Sequence, residues 1–540
     1  MQSKTASTMQ YDTDVLIIGA GMSGLGLAVQ LVASHFFSYS FALKPDWSQK
    51  FALQPEIYEY FQEVATQYDI KKHVSFQNVV DSARWEESSG TWVVMVRDLT
   101  TSEVTQYRCK ILVSAVGALS VPKKCDIPGA ASFQGPMFHT AEWDHTFDWQ
   151  NKDLVVIGNG CSATQAVPVM AAGEGVARRI TQFSRQAHWL AERPNKEYST
   201  LFKWTMRWIP LAMRIYRAKL YWEKEKDFVG FDIATGAKTR KEWTVEAASY
   251  IRKNAPAKYR DFLVPKTEIG CKRLVNDTNY LACLHRDNVE LVYDDQVEKI
   301  VESGVRMGSG RVVSADAIIF ANGFETQKLL APMEIIGKEG TCITEHWDKV
   351  SEGAASSYFG TCLSGFPNFF MMMGPNTLSG HLSVIYTTEC QINFTLRVIK
   401  PILRALSASR SVLPSIGSVD DIVEVKSDAE KRDIDTVQEK ARKLVWATGC
   451  TSWFIETKSK RNTIMFPDWQ YRFWLRSIFI PWNDFDYRKS KDALDTKGGF
   501  SWSTLAIFMM SIFVGTGTVL NGCPEWASEI LAKARSLVWL

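Results

Sequence analysis

The sequence has little of what marks several specialised classes of protein. Across 540 residues, 62 basic side chains nearly balance 59 acidic ones, and a net charge of +3 gives no reason to expect a nucleic acid partner. The ten cysteines are scattered, with no Cys-x-x-Cys pair and no Cys/His spacing that suits zinc, so we predict no metal site. Because the cysteines also form no recognisable disulfide pattern, we expect a reducing compartment.

The N-terminal residues 1–14 lack the apolar run of a secretory signal peptide, which favours a cytoplasmic location. Hydrophobic residues make up 46% of the chain and charged residues 22%, a balance typical of globular proteins. At roughly 100–200 residues per domain, the length predicts two to four domains. The chain is therefore expected to be a multidomain globular protein.

Two segments share one pattern, a short apolar run followed by a glycine-rich turn and a helical stretch. In this pattern the first glycine permits a tight turn, and the second lets the backbone approach a pyrophosphate. The third small residue lets the helix pack on the strand. The helix N-terminus then offers free N–H groups to the phosphates. The pair predicts an α/β fold with two Rossmann-like dinucleotide-binding domains, and the cofactor-binding candidates are Gly19, Gly21, Gly24, Gly158, Gly160 and Ala163.

Other patterns locate elements around these two turns. Residues 55–68 have the spacing of an amphipathic helix, and residues 196–258 are rich in aromatic and basic side chains and predict a helical insert. Strands are predicted at 91–96, 108–116 and 316–324, and a surface loop at 409–419.

Residues 498–524, near the C-terminus, contain no charged residue. The centre of this segment, 505–514, is strongly apolar, and Trp502 lies at one edge, where a membrane interface favours aromatic side chains. We predict a membrane anchor on the cytoplasmic face, with a buried helix or a partner-binding hairpin as the alternatives.

A further motif resembles a known family. Residues 133–144 read F-x-G-x-x-x-H-x-x-x-W-D, which resembles the fingerprint of Baeyer–Villiger monooxygenases, members of the class B flavoprotein monooxygenases. The similarity extends from about 11 to 487 and includes residues 115–122, 271–280, 322–324, 374–376 and 450–462. In character it is closest to fungal members that act in secondary metabolism. The fingerprint residues are Phe133, Gly135, His139, Trp143 and Asp144.

The resemblance implies cofactors, domains and roles. It implies an FAD-binding domain formed by 11–150 and 325–487, and an NADP-binding domain at 151–324 that carries the insert. By the same likeness Arg273 is the active-site arginine, whose fixed charge suits an anionic intermediate. Arg185 and Lys272 match positions that hold the 2′-phosphate of NADPH. His139 and Trp143 match residues that couple the domains.

The chain departs from the family pattern after the first helix. Ala33 runs directly into S-H-F-F-S-Y-S-F, a stretch that occurs much later in the family. The missing residues would contain the second strand, its acidic end that holds a ribose, a segment over the flavin and the family's active-site aspartate. Asp46 lies at a suitable distance but in a loop-like stretch, and we interpret it as solvated surface. A mis-joined gene model or splice form and a degraded enzyme both account for the gap.

Three functions follow from the resemblance and the gap. The first is a monooxygenase that uses NADPH and O₂, through a flavin C4a-peroxide, to convert a ketone into an ester or lactone. The second is a related enzyme that oxygenates nitrogen or sulfur. The third is a catalytically impaired NADP-binding remnant.

Overall fold

The computed structural model describes residues 10–23, 25, 39–172, 175–409, 420–450 and 452–491. Gly24, the predicted loop beyond residue 409 and the predicted membrane segment 498–524 lie outside these residues. Within the described ranges, no helix is long and apolar enough to cross a membrane.

The strands, in chain order, are β1 (Gln10–Ile18), β2 (Asn78–Glu86), β3 (Thr91–Asp98), β4 (Val104–Ser114), β5 (Met137–His139), β6 (Asp153–Ile157), β7 (Arg179–Phe183), β8 (Leu190–Ala191), β9 (Val275–Asn276), β10 (Val289–Val292), β11 (Val297–Val301), β12 (Gly304–Met307), β13 (Val312–Ser314), β14 (Ala317–Phe320), β15 (Glu334–Ile336), β16 (Phe369–Met371), β17 (Ile422–Val425) and β18 (Phe485–Arg488).

The α-helices are α1 (Gln54–Gln67), α2 (Cys161–Ala172), α3 (Thr200–Trp208), α4 (Ala212–Glu225), α5 (Ala237–Asn254), α6 (Arg260–Leu263), α7 (Tyr280–Cys283), α8 (Ile343–Ser351), α9 (Val384–Ser409), α10 (Ser427–Ala441) and α11 (Gln470–Ile478). Three of them, α3, α4 and α5, lie in the stretch 196–258 that the sequence predicts to be helical.

The two glycine turns belong to different sheets. The first sheet has the order β1-β4-β3-β2-β15, with β16 also paired to β4. The second has the order β10-β7-β6-β14-β5, and all its pairs are parallel. The turn after β1 therefore serves one sheet, and the turn after β6 serves the other.

The second sheet is packed on both faces, as a parallel sheet must be. Leu154 and Val156 on β6 point into one apolar cluster with α2 and α5, and Val155 points into another that contains Ile300. In the first sheet, successive side chains of β4 point to opposite faces: Val113 packs into one apolar cluster and Leu112 into another.

The fingerprint strand lies in the second sheet, not the first. The sequence analysis grouped residues up to 150 with the first glycine turn, but β5 pairs in parallel with β14, where His139 lies opposite Phe320. The pairing follows from the apolar Met137 and Phe138, which pack against the second sheet's clusters.

Helix α1 illustrates how local sequence sets an element. Pro55 occupies the first turn, where its missing N–H costs nothing. Tyr60 and Val64, one turn apart, are buried as the spacing predicts, whereas Ile57 remains 37% exposed.

Candidate cofactor and active site

The second glycine turn has the geometry of a pyrophosphate cradle. Gly158 has φ +122°, and a Cβ at this position would lie 2.3 Å from the Ala321 carbonyl oxygen, so only glycine fits. At Gly160 a Cβ would meet no protein atom within 4 Å, so open space lies above the turn. Ala163 is fully buried against β6. The turn therefore leaves room for a ligand group beside the N-terminus of α2.

Two predicted cations meet at the end of the adjacent strand. Arg185 follows β7 and is exposed. The ammonium of Lys272 donates a hydrogen bond to Gln186 Oε1, one residue further along. Burial, and then the nearby positive charge of Arg185, lowers the pKa of Lys272. These two cations supply the kind of charge that an additional phosphate beside the cradle would require.

Arg273 and Lys272 line a cavity of about 780 Å³. Arg273 is exposed to the cavity and acts electrostatically on Cys161, the first residue of α2. Burial raises the pKa of the Cys161 thiol, and the charge of Arg273 opposes that shift. Arg273 thus lies between the second dinucleotide turn and the cavity.

His381 also lines the cavity and forms a buried pair with Glu225, which the sequence analysis missed. His381 Nε2 lies 3.1 Å from Glu225 Oε2, and both side chains are almost completely buried. The second oxygen of Glu225 accepts a hydrogen bond from the backbone N–H of Tyr471 at 3.2 Å. Glu225 ends α4 in the helical insert and His381 follows the 374–376 segment, so a sequence separation of 156 hides the pair.

A disulfide lies beside the predicted cations and corrects the cysteine prediction. Cys271 and Cys450, which are 179 residues apart in the sequence, are bonded. Cys271 directly precedes Lys272, so this bond fixes the segment that carries Lys272 and Arg273. No spacing rule connects two cysteines so far apart, which is why the sequence suggested none.

The first glycine turn repeats the local geometry of the second. Gly19 has φ +105°, and a Cβ there would lie 2.7 Å from the Ala115 carbonyl oxygen. A Cβ on Gly21 would meet nothing within 4 Å. The backbone N–H of Leu25 donates to the Gly21 carbonyl at 2.8 Å, which starts a helix. The pyrophosphate part of a dinucleotide therefore fits here as well.

The strand that precedes the first turn, β1, has fewer neighbouring elements among the described residues than β6 has. Within the described part of the chain, β1 has β4 on one edge and no strand on the other. None of the residues 11–18 is buried, whereas four of the five residues of β6 are. The described residues thus provide no second strand and no carboxylate at its end for a ribose. The described residues of this unit leave room for the phosphates of a dinucleotide.

The fingerprint histidine lies where the two sheets are joined. His139 is 5% exposed, its Nδ1 accepts the backbone N–H of Ala141 at 3.0 Å, and burial lowers its pKa. Its ring packs edge-on against Phe324, 5.5 Å away between centroids. Phe324 in turn pairs with Pro122 in the chain that leaves the first sheet.

The remaining fingerprint residues make packing and turn contacts, chiefly with neighbours in the same segment. Trp143 packs edge-on against Phe138 at 5.1 Å. Asp144 accepts hydrogen bonds from the N–H and the hydroxyl of Thr146, which lower its pKa. A Cβ on Gly135 would lie 2.5 Å from the backbone carbonyl oxygen of Asp316, so the motif needs glycine there.

Asp46 is a surface residue, as interpreted from the sequence. Its carboxylate pairs with Arg207 at 2.7 Å, and both side chains are about half exposed.

Comparison with known proteins identifies the family. The model for flavin-binding monooxygenase-like proteins matches residues 28–208. A Baeyer–Villiger monooxygenase of Pseudomonas aeruginosa is 30% identical over 493 residues, covering 85% of this chain and 88% of that protein. The chain belongs to the Baeyer–Villiger monooxygenase family. The resemblance seen in the fingerprint is thereby confirmed.

Other relatives agree with this assignment. An FAD-binding monooxygenase of Aspergillus niger is 27% identical over 533 residues, covering 89% of this chain and 83% of that one. The closed crystal structure of cyclohexanone monooxygenase has a TM-score of 0.74 at 20% identity, over 89% of this chain and 100% of that chain. The structure of OTEMO in complex with FAD and NADP has a TM-score of 0.70 at 23% identity, covering 88% of this chain and 99% of that chain. The α/β fold of these Baeyer–Villiger enzymes is therefore the fold of this chain.

Proposed function

We propose that this chain uses NADPH, FAD and O₂ to convert a ketone into an ester or lactone, the reaction that gives its family its name. The observation that carries the proposal is the position of Arg273, which lines the cavity and also acts on the start of α2 at the second dinucleotide turn. A cation between a nicotinamide site and a substrate cavity suits a reaction that passes through an anion.

We assign roles to the chain's own residues. Gly158 and Gly160 admit the pyrophosphate of NADPH, and Arg185 with Lys272 bind its 2′-phosphate. Arg273 stabilises negative charge on the reacting group, since a guanidinium stays protonated at any working pH. FAD, when bound, supplies the redox chemistry and the activation of O₂, which no side chain here can provide.

We also propose the division into domains. The first sheet with 325–487 forms the FAD-binding domain, and 133–324 forms the NADP-binding domain with the insert 196–258. Because β5 pairs with β14, the boundary between them belongs before residue 133, not at 150. His139, next to Phe324, would transmit movement between the two.

The test is product analysis with a panel of ketones. Arg273→Ala should reduce ester formation by about a hundredfold or more, the cost of removing a group that stabilises an oxyanion. Arg286→Ala, also exposed but outside the cavity lining, is the matched control. Undiminished ester formation in Arg273→Ala would refute the role. Oxides of amines or sulfides as the only products would favour the alternative oxygenation of nitrogen or sulfur.

A second candidate is a catalytically impaired NADP-binding remnant. The open edge of β1 favours it, because the flavin unit lacks a described partner strand while the NADP unit is complete. Protein that binds NADPH, remains colourless after incubation with FAD and yields no product would support this candidate.

We further propose that residues 498–524 associate with a membrane on its cytoplasmic face. The support is the sequence, in which this segment is uncharged and has an apolar centre. Fractionation of cells that express the chain with and without residues 498–540 tests the proposal.

A further inference from the structure

Helices α3 and α4 form a hairpin whose inner side carries packed aromatic side chains. Phe202 stacks on Tyr198 at 4.3 Å and meets Tyr216 edge-on at 5.1 Å between ring centroids. Met206 and Met213 are buried on the same side. These contacts cover the apolar face that a surface helix normally turns toward the core.

The outer face of the same hairpin is also apolar. Six large side chains are each between 51% and 73% exposed, and we call them the hairpin face: Leu201, Trp204, Trp208, Leu211, Ile215 and Trp222. Their spacing of three, four or seven residues within each helix places them in stripes along one side. Six exposed apolar side chains on two adjacent helices, three of them tryptophans, are typical of an interaction surface.

The charge of the hairpin identifies the kind of partner. Residues 200–222 contain five basic side chains and no acidic one; Arg207, Arg214 and Lys219 are exposed, whereas Arg217 is partly buried near Glu389. Two of the five have surface partners, Arg207 with Asp46 at 2.7 Å and Lys219 with Glu223 at 3.8 Å, and such exposed pairs are weak. A second copy of this surface would bring like charges together, whereas anionic lipid headgroups would neutralise them.

We propose that the hairpin face docks on an anionic membrane surface. Its tryptophans would lie at the level of the headgroups, and its arginines and lysines would contact lipid phosphates and carboxylates. This interaction is distinct from any contact made by residues 498–524. The inner side of the hairpin contributes Tyr198 and Leu220 to the cavity, so docking brings the cavity close to the lipid. Uptake of an apolar ketone from the bilayer would follow, and only this consequence rests on the proposed function.

The experiment is co-sedimentation of the full chain with vesicles of phosphatidylcholine alone or with phosphatidylserine added. Trp204→Ser/Trp208→Ser/Ile215→Ser should weaken binding to the anionic vesicles by about tenfold or more. The variant removes three of the six apolar side chains that would enter the lipid interface, two of them tryptophans. The matched control, Phe76→Ser/Phe479→Ser/Trp482→Ser, changes equally exposed side chains elsewhere and should bind like the parent. Arg207→Gln/Arg214→Gln/Lys219→Gln should lose only the gain that phosphatidylserine provides.

The outcomes are separable. Unchanged vesicle binding in the tryptophan variant would overturn the proposal and assign any membrane affinity to another part of the chain. A parent that is dimeric by light scattering, with a monomeric tryptophan variant, would overturn it in favour of self-association. Because the assay needs neither cofactor nor turnover, it gives the same answer whether or not the chain is an active oxygenase. Melting temperatures of the variants check that the fold is intact.

Discussion

The two glycine turns share a sequence pattern and a local geometry but differ in what surrounds them. β6 lies between β7 and β14, and four of its five residues are buried. β1 carries an equivalent turn, yet β4 is its one neighbour among the described strands and none of the residues 11–18 is buried. The difference shows that the turn keeps its shape although the described residues place a strand on only one edge of β1.

The reason is that different neighbours determine the turn and the site. Gly19 and Gly158 are each fixed by the carbonyl of one adjacent strand end, Ala115 or Ala321. Ribose and 2′-phosphate contacts come from the strand on the other side, which is β7 in the second unit. The first unit therefore retains the part of the site that recognises phosphate and lacks, in the described residues, the part that recognises the nucleoside.

The largest effect is expected from restoring the missing strand. A variant with a family-like second strand, ending in Glu, inserted after Ala33 should bind FAD about ten- to a hundredfold more tightly, because a ribose hydrogen-bonded to a carboxylate contributes roughly 1.5–3 kcal/mol. Titration with FAD, followed by flavin fluorescence, measures the change. An insert of equal length without the acidic end is the control, and equal FAD affinity in all three chains would show that the strand is dispensable.

Alanine at the first glycine of each turn sharpens the comparison. Gly158→Ala should cost about 2–4 kcal/mol through steric overlap and strain, because its Cβ would lie 2.3 Å from a carbonyl oxygen in a sheet fixed on both sides. Gly19→Ala should cost less, since β1 can shift on its open edge. Thermal unfolding of the domains, monitored by fluorescence, reports both.

Gly160→Ala is the internal control for this pair. Its Cβ enters open space, so stability should stay unchanged while NADPH binding weakens. A larger loss of stability in Gly19→Ala than in Gly158→Ala would contradict the idea that the first sheet is the more yielding one.

Arg185 tests the intact unit through cofactor preference. Arg185→Ala should raise KM for NADPH by about tenfold or more and leave KM for NADH nearly unchanged, because a charge-assisted contact is worth roughly 1.5–3 kcal/mol. Where turnover is too slow, the affinities for NADP⁺ and NAD⁺ give the same comparison. Equal losses for both cofactors would refute the 2′-phosphate assignment.

The smallest effect concerns two carboxylates with opposite pH behaviour. Burial raises the pKa of Glu389, which accepts the N–H of Ser40 near the first unit, to about 8. Hydrogen bonds and charges from Arg178 and Arg179 lower the pKa of Asp153 at the start of β6. Glu389 thus contributes its full share to stability at pH values below the pKa that it has in the unfolded chain. That contribution is lost as the pH rises from there toward about 8, the pKa in the folded chain. Asp153 contributes above its unfolded pKa and loses its contribution as pH falls.

The melting temperature as a function of pH separates these two groups. Glu389→Gln should flatten the decline in stability between roughly pH 4.5 and 8, since the amide cannot ionise. Asp153→Asn should lower stability at neutral pH and have little effect in acid. If Glu389→Gln and the parent show the same pH profile, the decline in stability does not arise from Glu389.

Much of the fold follows from short-range sequence signals. Both turns, helix α1 and strands β3 and β14 were predictable, because each depends on periodicity or on a glycine whose conformation is locally required. The site was only partly predictable. Arg185 and Lys272 follow from the resemblance, but the His381–Glu225 pair and the Cys271–Cys450 bond join distant segments that no local pattern connects.

The membership of β5 in the second sheet was missed for a related reason. Its three residues are too few to show a periodicity, and the partner strand β14 lies about 180 residues further along the chain. The gap after Ala33 could be predicted from the sequence because a whole element of the family pattern is missing there; residues 26–38 lie outside the described ranges, so the missing strand stays a prediction.

The most direct test is to measure both cofactors on one preparation of the native chain. NADP⁺ binding by calorimetry and FAD content by absorbance, after incubation with excess FAD and desalting, report the two units side by side. We expect saturable binding of one NADP⁺ per chain and FAD retained at well below one per chain. One tightly held FAD per chain, at the same occupancy as NADP⁺, would contradict the central claim that the first unit has lost part of its nucleoside site.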